Sequence, residues 1–287
     1  MINKKDATRM TADVAKGFVV GSSMLIPGCS GGTVAIILGI YARLLHAVGN
    51  LRKEFKKNIF FLLRVAVGGL LGVALLANPI LTLYESYTFI VTFLIVGIIA
   101  GSVPMLARES RIIRFRPSYA LYFLLGAAIV VGIGFFPAPQ VQEIGQMNGA
   151  MLLLAGFLAA VALVLPGISV TFVLLIMGMY QPIMEAVANR GPLAVLVLFG
   201  VGLIIGIIVS AKALDKLLKR FYAQTYMVIF GFLAGSVWVL VKELSMPNAM
   251  QAVAAVIIGI AAFFAVKILT AKAYAKDKAQ GSSAETL

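Results

Sequence analysis

The 287-residue chain is 61% hydrophobic and 12% charged, against roughly 45–50% and about 25% in a soluble domain, which excludes a water-soluble globule. Its formal net charge of +13 would suit nucleic acid in a soluble protein, but in a membrane protein basic residues retain loops in the cytoplasm and face anionic lipid. The chain has one cysteine, Cys29, and one histidine, His46, so an intramolecular disulfide and a CxxC site are excluded, and neither a metal, a cofactor nor a nucleic-acid partner is expected.

The N-terminal segment carries Lys4, Lys5 and Arg9 ahead of apolar sequence, like the basic region of a signal peptide. No small-residue cleavage site leading into a polar mature domain follows, so the segment is read as part of the fold. An apolar stretch over 11–48 is interrupted by Pro27-Gly28-Cys29-Ser30-Gly31-Gly32-Thr33. Three uninterrupted apolar spans follow at 58–77, 88–107 and 118–136. About 20 apolar residues at 1.5 Å rise cross the hydrocarbon core, so each reads as a membrane helix. No alternation in ten-residue segments appears, and a membrane β-barrel is not expected. The pattern then repeats: an interrupted stretch at 150–188 around Pro166-Gly167, then spans at 192–211, 224–241 and 249–269. A disordered cytoplasmic tail is expected over 273–287.

The repetition is exact in places. At one offset Gly17-Phe18 matches Gly156-Phe157, Pro27-Gly28 matches Pro166-Gly167, Ser30 matches Ser169, Gly39 matches Gly178, and Tyr41 matches Tyr180. At a slightly shorter offset Gly101-Ser102-Val103 corresponds to Gly235-Ser236-Val237. The chain is therefore a tandem duplication, with copies over 1–145 and 146–272.

Basic residues set the topology. Five segments (the N-terminus to 16, 49–57, 108–117, 212–223 and the tail from 267) carry four Lys/Arg each, while 78–87 and 137–149 carry none. The positive-inside rule puts the five rich segments, and both termini, in the cytoplasm. Each interrupted stretch must then start and finish on one side, as a re-entrant hairpin or, alternatively, two full spans. Three spans per copy reverse direction, so the expected fold is an all-α polytopic membrane protein with an inverted repeat. Each copy is a re-entrant helical hairpin plus three transmembrane helices, a plan recurrent in secondary transporters.

Non-helical backbone at membrane depth needs protein or a polar cavity around it. The two breaks therefore suggest a central site, or else a duplicated scaffold with kinked helices. Helix N-termini favour anions, and Ser30, Gly31, Gly32 and Thr33 form a candidate phosphate cradle with Ser169 and Thr171 opposite. The same hydroxyls could instead cap helices. Arg64, inside an apolar span, and Arg43 can fork onto a phosphate, or snorkel to the interface. His46 and Glu185 occupy equivalent repeat positions and are candidates for proton coupling, or are interfacial. Tyr41 and Tyr180 read as packing or interface anchors. Gly28-Cys29-Ser30-Gly31-Gly32 also fits G-x-S-x-G, but His46 lies 16 residues along the same arm, about 24 Å at helical rise. A serine hydrolase is thus the weaker alternative, and no enzyme is expected.

PGCSGGTVAIILGIY at Pro27–Tyr41 and PGISVTFVLLIMGMY at Pro166–Tyr180 resemble the paired motifs of the polyprenyl-phosphate transporter family of bacterial membrane proteins. The duplicated layout carries the resemblance over about residues 10–270. Val170 departs from it, standing where a small residue is expected. The resemblance implies an inner-membrane flippase that returns undecaprenyl phosphate from the outer to the inner leaflet for reuse in cell-envelope synthesis. Its partners would be that lipid and the surrounding membrane lipids, with coupling to protons or the membrane potential. A permease for a small soluble anion is the alternative.

Overall fold

The computed structural model describes the backbone of residues 4–26, 29–49, 54–110, 116–135, 148–188, 192–242 and 247–284, with the single positions 51, 112 and 244. Among the described residues there are twelve α-helices and no strand, in two runs of six. The first run is α1 Lys4–Ser23, α2 Gly31–Ile37, α3 Tyr41–Gly49, α4 Phe55–Ser86, α5 Thr88–Glu109 and α6 Pro117–Ile133. The second is α7 Gly149–Val164, α8 Val170–Ile176, α9 Tyr180–Ala188, α10 Leu193–Arg220, α11 Tyr222–Lys242 and α12 Ala249–Ala284. Five of them are long and apolar enough to cross a membrane: α4, α5, α10, α11 and the Ala249–Ala271 part of α12. α4, α10 and α12 leave most of that apolar surface exposed, Leu70, Ile204 and Ile257 among it. Water penalises such surface at roughly 25 cal/mol per Å², whereas lipid tails do not. This is a multi-pass membrane protein.

Three features depart from the sequence expectations. α4 runs to Ser86 through Pro79, and α10 runs to Arg220, over segments read as connections. Pro79 removes one ladder bond, a local loss inside a 32-residue helix. α12 continues to Ala284 across the expected disordered tail, because Ala271–Gln280 consists largely of alanine and lysine, both good helix formers. Finally, the second arm of each interrupted stretch breaks again. α2 and α3 are bent by 112°, and the matched glycines at the two bends have φ of +67° (Gly39) and +66° (Gly178). Both ends are Schellman motifs: Ile40 N–H donates to Ala35 O at 3.0 Å and Met179 N–H to Leu174 O at 2.9 Å. Only glycine takes that left-handed position without a Cβ penalty.

The long helices pack in four parallel pairs. α1 lies along α4 and α7 along α10, each within one run of six, whereas α5 lies along α12 and α6 along α11, between the runs. The contacts advance in the same direction on both members: Gly17 meets Val65 and Gly21 meets Gly69, just as Leu153 meets Gly202 and Phe157 meets Gly206. A Cβ on the repeat-matched Gly17 or Gly156 would collide with the carbonyl of Val65 or Phe199, so these pairs are held backbone to backbone. The last two helices of each run are thereby packed against those of the other.

Candidate functional site

The fold brings the two breaks together. Thr171, at the start of α8, donates its hydroxyl to the Met24 carbonyl just past α1 at 3.3 Å. Tyr41 reaches across the copies and donates to the Val164 carbonyl, in the last turn of α7, at 2.7 Å. A Cβ on Gly32 would stand 3.3 Å from Leu163 O and from Pro166 N and Cα, so α2 abuts the end of α7. Pro27 and Gly28 lie outside the described residues.

At the first break Ser30 holds the N-cap position of α2 with extended backbone (φ −91°, ψ 123°), yet its side chain makes no capping bond. Ser30 and Thr33 are 4% and 3% exposed, and neither hydroxyl has a hydrogen-bond partner among the described residues. A buried polar group left unpaired costs about 1–3 kcal/mol, so two side by side are candidate ligand contacts. Gly31 and Gly32 are buried beside them, Gly31 against the Met24 side chain. The second break is satisfied within the protein. Ser169 accepts from the Phe172 N–H at 3.5 Å, and Thr171 is engaged with Met24. Gly167 there has φ +88°, and Val170 occupies the position of Gly31.

A cavity of about 170 Å³ adjoins the second break. It runs from the α4–α5 turn, at Tyr84 and Thr88, past Thr92 to Gly167–Ser169, with Ser236 of α11 on its wall. Thr92 is fully buried and its hydroxyl has no partner among the described residues. Of the residues expected at the site from sequence, only Ser169 lines this cavity. Thr92 and Ser236 were missed. Their signals were a hydroxyl inside an apolar span and the Gly-Ser-Val echo of the repeat.

Arg43 and Arg64 meet elsewhere, at Asp13. Arg43 Nη1 donates to Asp13 Oδ1 at 3.0 Å, and Arg64 Nη1 lies 3.6 Å from Oδ2. Asp13 is buried, its Oδ2 accepts no hydrogen bond among the described residues, and Arg64 is 29% exposed. Arg43 also stacks on Phe61, with its guanidinium carbon 3.7 Å from the ring centroid. Asp13 was missed too, although it is a carboxylate within the apolar stretch 11–48. The cluster joins α1, α3 and α4 and fixes both guanidinium groups. His46 closes α3. Hydrogen bonding and charge from Lys57, with a smaller charge contribution from His46, hold the Glu54 carboxyl below its usual range. Glu185 lies on α9, with its side chain outside the described residues. No group of three or more His, Cys, Asp or Glu among the described residues is placed to hold a metal.

The undecaprenyl phosphate translocase-like family model matches residues 20–255. The chain belongs to this family. It is 31% identical over 235 residues to a polyprenyl-phosphate transporter of Vibrio cholerae, covering 77% of this chain and 74% of the relative. It is 30% identical over 238 residues to a polyprenyl-phosphate transporter of Staphylococcus aureus, covering 79% and 84%. No solved structure matches the chain. The part shared with the translocase-like family includes both breaks, the cavity, Arg43 and Arg64, and begins after Asp13.

Proposed function

We propose that the protein carries a polyprenyl phosphate, undecaprenyl phosphate foremost, from the outer to the inner leaflet of a bacterial inner membrane, for reuse in cell-envelope synthesis. The observation that carries this reading is the cavity beside the second break, with the unpartnered Thr92 hydroxyl in its wall. Relatives named as polyprenyl-phosphate transporters support the substrate class. In this reading the phosphate passes between the breaks and is met by Ser30, Thr33 and the backbone of Gly31 and Gly32, with Ser169 and Thr171 opposite. Arg64 and Arg43, held by Asp13, supply positive potential from the cytoplasmic half.

The inverted plan has independent support in the packing. Taking the chain to reverse at the one-residue links Tyr87 and Phe221, and α12 to run opposite to α11, the four parallel pairs make α1 and α7 run oppositely. That is the relation expected of copies over 1–145 and 146–272 with cytoplasmic termini. The cavity then faces outward and the first break is closed, one state of an alternating-access cycle. His46 and Glu185 stay candidates for coupling to protons or potential. The carrier reading is preferred to a hydrolase because Ser30 has no base to take its proton among the described residues.

The test uses the full chain in liposomes containing undecaprenyl phosphate with a labelled head group, scored by a membrane-impermeant phosphate reagent. Protein should speed leaflet exchange over empty liposomes, and Arg64→Ala should abolish that gain with insertion intact. Exchange no faster than in empty liposomes, across pH and potential gradients, would redirect the reading to uptake of a small soluble anion.

A further inference from the structure

α5, which lines the cavity at Thr88 and Thr92, packs along α12 toward its other end. α5 and α12 are packed as closely as backbones allow: a Cβ on Gly97 or Gly101 would collide with the Gly259 or Phe263 carbonyl. Farther along, a small pocket of about 60 Å³ opens between the two helices, lined by Pro104, Met105, Arg108, Lys267, Thr270 and Ala271. Pro104 lies inside α5 at the point where the pocket begins.

Two helices that gain nothing from meeting charge to charge here present two cations to one pocket. No described carboxylate pairs with Arg108 or Lys267; both side chains are exposed where they line the pocket, and the Lys267 ammonium also lies 5.7 Å from the Phe263 ring centroid. The close glycine packing fixes the helix axes, so both cations are carried at one set separation of the two backbones. Thr270 commits its proton to the Val266 carbonyl at 2.8 Å, which leaves Arg108 and Lys267 as the donors. Arg108 is one residue from the end of α5, and Lys267 is four from the end of the apolar part of α12 at Ala271. Both therefore stand at head-group level. The pocket, about 60 Å³, is small and opens to the surface, so it suits a head group and not a whole lipid.

We propose that the Arg108–Lys267 pocket between α5 and α12 binds the phosphate of an anionic lipid head group, separately from the cavity at the breaks. Arg108 forks onto two phosphate oxygens and Lys267 meets a third as a point charge. The lipid tail then lies along the exposed apolar flank of α12. The head group could come from a bulk phospholipid or from a prenyl phosphate, and the site does not depend on the transport reading.

Native mass spectrometry of the full-length protein separates these sources. Purified protein is exchanged into micelles containing phosphatidylglycerol, farnesyl phosphate or phosphatidylcholine, and retained lipids are counted. Wild type should retain one phosphatidylglycerol or farnesyl phosphate in preference to phosphatidylcholine; the one held more tightly names the source. Arg108→Gln and Lys267→Gln should each weaken retention about fivefold, from roughly 1 kcal/mol per cation at an anionic head group. The charge-keeping double variant Arg108→Lys, Lys267→Arg should hold the lipid and controls for folding. Retention unchanged in the glutamine variants, or phosphatidylcholine held as well as phosphatidylglycerol, would overturn the proposal. Because lipid is counted directly, a failure of leaflet exchange in the transport assay leaves this result standing.

Discussion

The two breaks share one motif and lack different things. At the first, Ser30 and Thr33 are buried without a hydrogen-bond partner among the described residues, and their chain neighbours Cys29 and Val34 belong to a buried apolar cluster. At the second, Ser169 and Thr171 are hydrogen-bonded, and an empty volume adjoins Ser169. Unused hydrogen-bonding capacity thus sits at one break and room at the other. In the proposed carrier reading the two halves need not be equivalent in any one conformation, and this asymmetry fits a state open on one side.

The largest expected effect comes from forcing a side chain into the second break. Gly167 has φ +88°, and a Cβ there would stand 2.9 Å from Leu233 N and 3.0 Å from Phe232 C, all rigid backbone. Gly167→Ala should cost about 2–4 kcal/mol, combining left-handed strain with overpacking. Gly32→Ala meets its neighbours at 3.3 Å and should cost about 1 kcal/mol. Thermal unfolding in detergent compares the two, and equal losses would mean the breaks are equally tight.

Next come the hydroxyls. Ser30→Ala with Thr33→Val removes groups that bond nothing in the described protein, so stability should hold or rise. Leaflet exchange should fall about tenfold, the equivalent of one good hydrogen bond to a charged group. Ser169→Ala with Thr171→Val removes two bonds made within the protein and should cost about 1 kcal/mol each, with less effect on exchange. The opposite pattern, lost stability at the first break and lost transport at the second, would exchange their roles.

Much of this was legible in the sequence, for physical reasons. Long apolar runs had to be helices, because only helices satisfy their backbone in lipid. The duplication was visible because Gly17, Gly156 and their partners sit where any side chain would collide. The pairing of α5 with α12 and α6 with α11 was not legible, since nothing local says which apolar helix another packs on. Asp13 escaped for a related reason: only the three-dimensional arrangement shows that one carboxylate collects Arg43 and Arg64 from helices far apart in sequence. The cavity wall at Thr92 and Ser236 likewise needs the packing between the two runs before it exists.

A smaller effect is expected at Thr92, the unpartnered hydroxyl of the cavity. Thr92→Val keeps the shape, so the fold should be as stable or slightly more so, and exchange should fall about fivefold if the hydroxyl meets the head group. Unchanged exchange would make the cavity a passage for the apolar tail, with the phosphate confined to the first break.

The smallest change bears on one of the positions at which the motifs differ, Gly31 against Val170. A Cβ on Gly31 would lie 2.9 Å from Met24 Cγ and 3.0 Å from its Sδ, part of a flexible side chain that can move aside. Gly31 opens α2, where alanine takes the same backbone angles, and replacing glycine there gains roughly 0.4–1 kcal/mol by restricting the unfolded chain. The two terms nearly cancel, so Gly31→Ala should leave the unfolding temperature close to wild type. Exchange then reports a single quantity: whether the substrate must approach the α2 backbone as closely as glycine allows. A clear fall would make the first break the phosphate contact and explain why the second, with Val170, can do without one. Full exchange in a stable Gly31→Ala protein would place the contact on the hydroxyls alone, and the difference between Gly31 and Val170 would then be one of packing.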